Sequence, residues 1–459
     1  MPPSPTLTCD VGALAVIRRL RDAGQRAYLV GGCVRDQLLG CPAKDWDIAT
    51  DATPERIATL FERTIPVGKA FGVMLVALAE GTYEVATFRG DGEYSDGRRP
   101  DHVVFTGPEA DVARRDFTIN ALMYDPLEGR LLDWVGGVDD IRRRRVRTVG
   151  EPRLRFGEDH LRLLRAVRFA ARTGFDLDPA TAAAMQELAA LAASVSGERL
   201  GDELTRMLTE GAARRSMELL EVTGLLRVVL PEVARLQGVT QPPEFHPEGD
   251  VWAHTLAMLG AWDARVQALP RELPPGLSGE AHDCAVLGWA TLLHDVGKPE
   301  TRTESERICF YGHDAVGARL AEAILTRLRR ATKLSRPVVE LVAEHMHFMH
   351  VPDMREAKRR RFLRDEGFPY HLELHRLDCG GSHGKLDVYE KVRLAYEKEQ
   401  ATPPVLKPLL RGDDLLAAGY RPGPQMGALL RALEDARLEH LVETPDEALA
   451  WVRQHFPQG

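Results

Sequence analysis

Two aspartates separated by one residue, Asp45 and Asp47 in Lys44-Asp45-Trp46-Asp47-Ile48-Ala49-Thr50, follow closely on Leu29-Val30-Gly31-Gly32-Cys33-Val34-Arg35-Asp36. In extended chain, residues i and i+2 share a face, so both carboxylates can reach one pair of hard cations. Paired divalent ions clamp the attacking and leaving oxygens of an in-line phosphoryl displacement. Gly31 and Gly32 let backbone N–H groups approach a triphosphate, because no Cβ stands in the way. Arg35 then falls at the start of a short helix expected over 34–39, where an anion is welcome. On its own, Asp-x-Asp reads first as a solvated turn. Behind Gly-Gly-x-Val-Arg-Asp and an apolar lead-in strand it describes a nucleotide-transfer site.

Further stretches carry matching chemistry. In Arg114-Arg115-Asp116-Phe117-Thr118-Ile119-Asn120, arginine suits phosphate while Asp116 and Asn120 suit ribose hydroxyls. The same stretch also reads as a capped helix start, and an N-terminus with orphan N–H groups is itself an anion site. In Glu158-Asp159-His160-Leu161-Arg162-Leu163-Leu164-Arg165-Ala166-Val167-Arg168-Phe169, steps of three on a helix drift slowly, predicting one polar stripe of Asp159, Arg162, Arg165 and Arg168. A carboxylate accepts from the cytosine or adenine amino group, and an arginine donates to cytosine O2/N3 or adenine N1. Asp159 and Arg162 can therefore read a Watson–Crick edge without a nucleic-acid template. Arg165 and Arg168 are expected to hold the triphosphate.

These separated motifs, and the chain as a whole, resemble the class II tRNA nucleotidyltransferases: the CCA-adding enzymes and their bacterial poly(A) polymerase relatives. The resemblance implies that Asp45 and Asp47 hold Mg²⁺ and that Glu84, in the strand Tyr83–Phe88, is a third acidic group beside the metals. It implies substrates CTP and ATP, with the tRNA 3′ end as acceptor. The polar loop Asp91–Asp101 resembles the family's flexible loop and argues for adenosine addition. Glu198-Arg199-Leu200-Gly201-Asp202-Glu203 resembles a motif that supports the base-reading helix. Point motifs leave two narrower activities open, addition of the terminal A alone and poly(A) synthesis.

The elements that must position these groups follow from periodicity and breakers. A helix is expected over 11–23, strands over 26–31, 44–49, 73–78, 83–88 and 102–105, and a helix from Pro54 to Phe61 capped by Thr53. From Asp159 onward the pattern is helical. The expected class is α+β: a mixed-sheet nucleotidyltransferase head (1–145), a helical neck with the base-selecting helix (146–245), an HD-type helical domain (246–400) and an RNA-contacting helical tail (401–459).

The second chemical set lies in that third segment. His254, His294-Asp295, His313, His345 and Asp378 occur in an order that resembles an HD-type phosphohydrolase domain. Imidazole and carboxylate ligands from several helices can hold a divalent transition metal and activate water. His254, His294, Asp295 and Asp378 are the core candidates, with His313 and His345 supporting them. A secondary phosphohydrolase activity is expected from the resemblance, and a metal phosphohydrolase with a vestigial RNA-gripping head stands as the alternative. His160, His282, His371 and His375 read as ordinary surface or helix residues.

Composition bounds the rest. At 459 residues, 44% hydrophobic and 28% charged, the chain is an ordinary globular protein of several domains. No apolar run reaches a membrane span, and the N-terminus lacks a signal-peptide pattern. Six scattered cysteines fit reduced thiols, so a cytoplasmic location is expected, with no membrane or DNA partner. The net charge of −8 confines RNA contact to local patches. The two basic runs, Arg142–Arg145 with Arg147 and Lys358–Arg361, read either as such patches or as solvated helix faces.

Overall fold

The computed structural model describes residues 7–68, 72–92, 103–269, 273–401 and 408–457, and the chain divides into two compact units, Met1–Ala234 and Arg235–Gly459. The expected flexible loop over 91–101 lies almost wholly outside the described residues. The first unit carries the expected head and most of the neck; the second carries the HD-type segment and tail.

The first unit is built on a seven-stranded sheet in the order Thr64–Gly68, Val73–Ala77, Thr82–Thr87, Ile48–Thr50, Ala27–Val30, Met123–Asp125, Arg130–Leu132. All neighbours are antiparallel except Ile48–Thr50 and Thr82–Thr87, which run parallel with Ile48 opposite Val85. Alternation sorts the strand residues onto two faces. Leu29, Ile48 and Val85 pack against Val16, Ile17 and Leu20 of the helix Val11–Asp22, while Tyr28, Val30 and Ala49 face a second cluster with Phe88, Val112 and Met123. Asp10 caps the first helix through the N–H groups of Gly12 and Ala13. The helix Pro54–Leu60 begins as expected, with Thr53 accepting from Arg56 N–H.

Two boundaries differ from the sequence reading. The carboxylate strand starts at Ile48 rather than Lys44, and the carbonyl of Asp47 receives the Val30 N–H at 3.0 Å as the last rung before the chain leaves the ladder. The helix expected from Asp159 is interrupted. One helix, Pro152–Glu158, ends as Asp159 turns into extended geometry (φ −139°, ψ 106°), and the next spans Arg162–Thr173. The second unit is almost wholly helical, with core helices Val251–Ala268, Ala281–Leu293, His313–Arg327, Thr332–Glu344 and Phe368–Gly381. No described helix is long and apolar enough to cross a membrane.

Candidate active site and histidine–carboxylate centre

The parallel register dictates where the acidic groups meet. With Ile48 opposite Val85, and both buried on one face, Asp47 and Glu84 are neighbours on the other. Burial, then the charge of Glu84 and that of Asp45, push the Asp47 carboxyl up to about 6, against the opposing pull of Arg115. A carboxylate crowded by two others is a poor resident without a counter-charge, and a hard divalent cation supplies one. The acidic residues present therefore fit the metal the chemistry calls for. Among the described residues, these three carboxylates are not drawn within 4.8 Å of one another as the histidine sets below are.

Gly31 sits at the centre of the phosphate end. Its φ of +78° lies in the region that favours glycine, and a Cβ there would stand 3.5 Å from Arg115 Nη1 and 4.0 Å from Asp47 Oδ2. The helix Gly32–Leu38 begins there, with Arg35 N–H donating to the Gly31 carbonyl. Arg115 is aimed by Asp111, a buried residue the sequence reading passed over. Asp111 accepts from Arg115 Nη2 at 3.1 Å and from Arg114 Nη2 at 2.6 Å, and the two guanidiniums outweigh burial to hold it below its usual range. Its signal was its position three and four residues before the arginine pair.

Arg35 is turned inward rather than toward the opening. It is 3% exposed, donating to Asn120 Oδ1 at 2.5 Å and to Asp36 Oδ1 at 2.8 Å. Asp116 accepts from Asn120 Nδ2 at 3.2 Å and from Arg165 Nε at 2.8 Å. Although burial alone would raise it, the Arg165 guanidinium brings Asp116 down to about 2.

Breaking the helix at Asp159 changes how the two residues expected to read the base are held. Arg162, the first residue of its helix, donates through Nη2 to the Arg114 carbonyl at 3.1 Å and through Nη1 to the Arg155 carbonyl at 3.0 Å, and pairs with Glu158. Asp159 is held in a bidentate pair by Arg199, at 3.1 and 2.8 Å, and accepts the Leu161 N–H. Arg199 and Glu203 were the residues of the supporting motif to which no chemistry was attached. Glu203, 4% exposed, takes Arg168 Nε at 2.6 Å, so the Arg168 guanidinium is committed to protein rather than pointing to solvent. A chain of contacts thus runs from Arg115 through Asp111 and Arg114 to Arg162 inside a single unit, with Arg115 Nη1 and Asp47 Oδ2 both beside Gly31.

The second unit gathers all six predicted metal-type residues. His254, His294 and Asp378 present ligand atoms within 4.8 Å of one another, and so do Asp295, His313 and His345. His254 Nε2 lies 3.1 Å from Asp378 Oδ1, and His294 Nε2 lies 3.1 Å from Asp295 Oδ2, yet neither buried nitrogen has a hydrogen-bond partner. Nitrogen lone pairs that converge beside carboxylates without bonding to them fit a cation. The other nitrogen of His254 meets Glu248 at 2.7 Å, which fixes its ring as second-sphere carboxylates do. Burial drives His345 down to about 4, so it is neutral and able to ligate at neutral pH. Lys298 Nζ stands 2.7 Å from Asp295 Oδ2. His371 and His375, expected as ordinary residues, are instead 6% and 5% exposed and line a cavity of about 10 Å³ with His294, His345 and Asp378. Their helix carries Asp378 one and two turns further on, a spacing that could have flagged them.

Members of both basic runs are held in ion pairs. Arg143 pairs with Asp139, Arg145 with Asp178 and Arg147 with Asp140. Arg360, 7% exposed, binds Glu399 and the Leu438 carbonyl, fastening tail to HD-type helices, while Arg361 pairs with Asp435.

A mixed sheet with clustered carboxylates, a glycine turn and an arginine-bearing neck is the architecture of a template-independent nucleotidyltransferase. Residues 27–147 match the poly A polymerase head domain, 174–236 the probable RNA- and SrmB-binding site of polymerase A, and 264–373 the HD domain. A CCA-adding enzyme of Geobacillus stearothermophilus is 41% identical over 64% of this chain and 73% of its own length. The A-adding tRNA nucleotidyltransferase of Deinococcus radiodurans is 37% identical over 93% of this chain and 95% of its own. The crystal structure of the Bacillus stearothermophilus CCA-adding enzyme in complex with CTP superposes with a TM-score of 0.71 at 28% identity, covering 99% of this chain and 98% of that one. The chain belongs to the tRNA nucleotidyltransferase family of CCA-adding and A-adding enzymes.

Proposed function

We propose that this enzyme adds C and then A to the 3′ end of tRNA, taking CTP and ATP and releasing pyrophosphate. The observation that carries this reading is the chain of contacts from Arg115 through Asp111 and Arg114 to Arg162, which begins beside Gly31 and the Asp47 carboxylate within one compact unit. Asp45 and Asp47, with Glu84 beside them, would hold Mg²⁺, which when bound stabilises the charge on the attacking and leaving oxygens. Gly31 and Gly32 leave room for the phosphates at the helix start, and Arg115, aimed by Asp111, supplies positive charge there. Asp116 and Asn120 orient the ribose side. Asp159, oriented by Arg199, accepts from the exocyclic amino group of cytosine or adenine, and Arg162 donates to the adjoining ring positions. Uracil and guanine present the wrong donor and acceptor pattern. Arg35, Arg165 and Arg168 brace the pocket from behind. Asp45→Ala is expected to abolish nucleotide incorporation while tRNA affinity in filter binding stays unchanged; turnover comparable to the parent enzyme contradicts the metal assignment.

A narrower reading, addition of the terminal A alone, is favoured by the near-complete alignment with the A-adding relative. The HD-type centre supports a second activity, metal-assisted hydrolysis of a phosphate ester, with His254, His294, Asp295 and Asp378 as ligands and His313 and His345 beside them.

A further inference from the structure

The ring of Phe169, on the helix that opens with Arg162, is 5% exposed and surrounded by positive charge. The guanidinium carbons of Arg35, Arg165 and Arg168 lie 5.1, 5.1 and 4.4 Å from its centroid, and Phe117 meets it edge-on at 5.8 Å. Such distances are those of cation–π attraction. Around the ring runs a closed circuit of polar contacts. Arg165 binds Asp116; Asp116 accepts from Asn120; Asn120 accepts from Arg35; Arg35 binds Asp36. Asp36 takes Arg172 at 2.9 Å, Arg172 and Arg168 both approach Glu210, and Arg168 binds Glu203, which lies 3.9 Å from Arg165. Four members of this circuit (Arg35, Asp36, Asp116, Asn120) belong to the helix Gly32–Leu38 and the segment Asp116–Asn120 at the proposed phosphate and ribose end. The other five (Arg165, Arg168, Arg172, Glu203, Glu210) belong to the helix Arg162–Thr173 and its support. Three like charges crowded about one point repel, and they are stable here because each has its own carboxylate and all share one aromatic ring.

We propose that Phe169 is a positioning residue for nucleotide selection: by gathering Arg35, Arg165 and Arg168 it sets the register between the base-reading helix and the triphosphate-binding turn. The ring touches no substrate in this arrangement. It acts through the three guanidiniums, so its loss lets the helix shift against the turn, and the edge-reading pair no longer stands at hydrogen-bond distance from a base whose phosphates are held. A shift of that kind weakens discrimination more than it weakens tRNA binding.

This inference rests on the assignment of Asp159 and Arg162 as base readers, and the test separates the two. The full-length enzyme and its Phe169→Leu, Phe169→Tyr, Arg172→Ala and Arg162→Ala variants are compared for kcat and KM with each of the four nucleoside triphosphates on tRNA. Phe169→Leu keeps an apolar side chain but removes the π face. It is expected to lower the preference for CTP and ATP over UTP and GTP by roughly tenfold, mainly through KM. Phe169→Tyr restores the parent selectivity, and Arg172→Ala, which opens the circuit at an arginine outside the three that meet the ring, shifts it in the Leu direction. Parent selectivity in Phe169→Leu, or indistinguishable Leu and Tyr variants, overturns the proposal. Should Phe169→Leu fail to fold, unchanged selectivity in Arg172→Ala overturns it instead. If Arg162→Ala also leaves base preference intact, the base-reading assignment falls; if it blurs preference while the Phe169 variants do not, the positioning role alone falls.

Discussion

Asp159 and Arg162 are three residues apart, yet their side chains are held by unrelated partners: Arg199 from the helix Gly197–Thr209, and the carbonyls of Arg114 and Arg155. That arrangement separates the two halves of an edge-reading pair and lets each be tested alone. Arg162→Ala removes the donor while leaving Asp159 clamped by Arg199. The expected outcome is a loss of about tenfold or more in discrimination between correct and incorrect nucleotides, consistent with one or two lost charge-assisted hydrogen bonds. Single-turnover incorporation of each nucleotide on tRNA measures it, and an unchanged preference defeats the role. The candidacy of these residues was legible in the sequence because carboxylate and guanidinium types are scarce in that pattern. Their partners were not: Asp111 and Arg199 become meaningful only when tertiary packing brings them to Arg115 and Asp159.

At the scale of elements, the strand and helix types of the head followed from periodicity, and the misplaced boundaries have physical causes. The strand expected over 44–49 begins only at Ile48 because ladder pairing reaches only to the Asp47 carbonyl, and the helix at Asp159 broke because its carboxylate caps Leu161 instead of continuing the turn. The joint between head and neck helix depends on Asp116. Its folded pKa lies below its ordinary value, so the stability it contributes is present above pH about 4 and lost as pH falls toward 2. Asp116→Asn is therefore expected to lower the unfolding free energy at neutral pH by about 2 kcal/mol. The gap in urea midpoint between variant and parent should close progressively below pH about 4. A gap independent of pH contradicts the ion-pair account.

For the whole molecule, the division into two units places the two proposed chemistries apart, and each should survive the loss of the other. His294→Ala combined with Asp295→Asn removes ligands from both metal-type sets of the second unit. Nucleotide addition by that variant should stay near the parent rate, while hydrolysis of a chromogenic phosphate ester in the presence of added transition metal should be lost. Abolished nucleotide addition would instead make the histidine centre the seat of the main activity. That the six candidates would gather was readable from their order along the chain, whereas the burial of His371 and His375 was not, because it depends on how Phe368–Gly381 packs against its neighbours. The basic runs were open to two readings in the sequence, RNA patch or solvated helix face. Within the second run, Arg360 takes neither part and serves as a fastener between helices.

The most direct measurement incubates the purified enzyme with tRNA ending at the discriminator base, at C, and at CC, each with single nucleoside triphosphates and Mg²⁺. The account predicts that C is added to the first two ends, that one A is added to the CC end, and that U and G are refused. A lone A on the CC end with no C addition anywhere, a long A tail on all three, or no incorporation at all would contradict it.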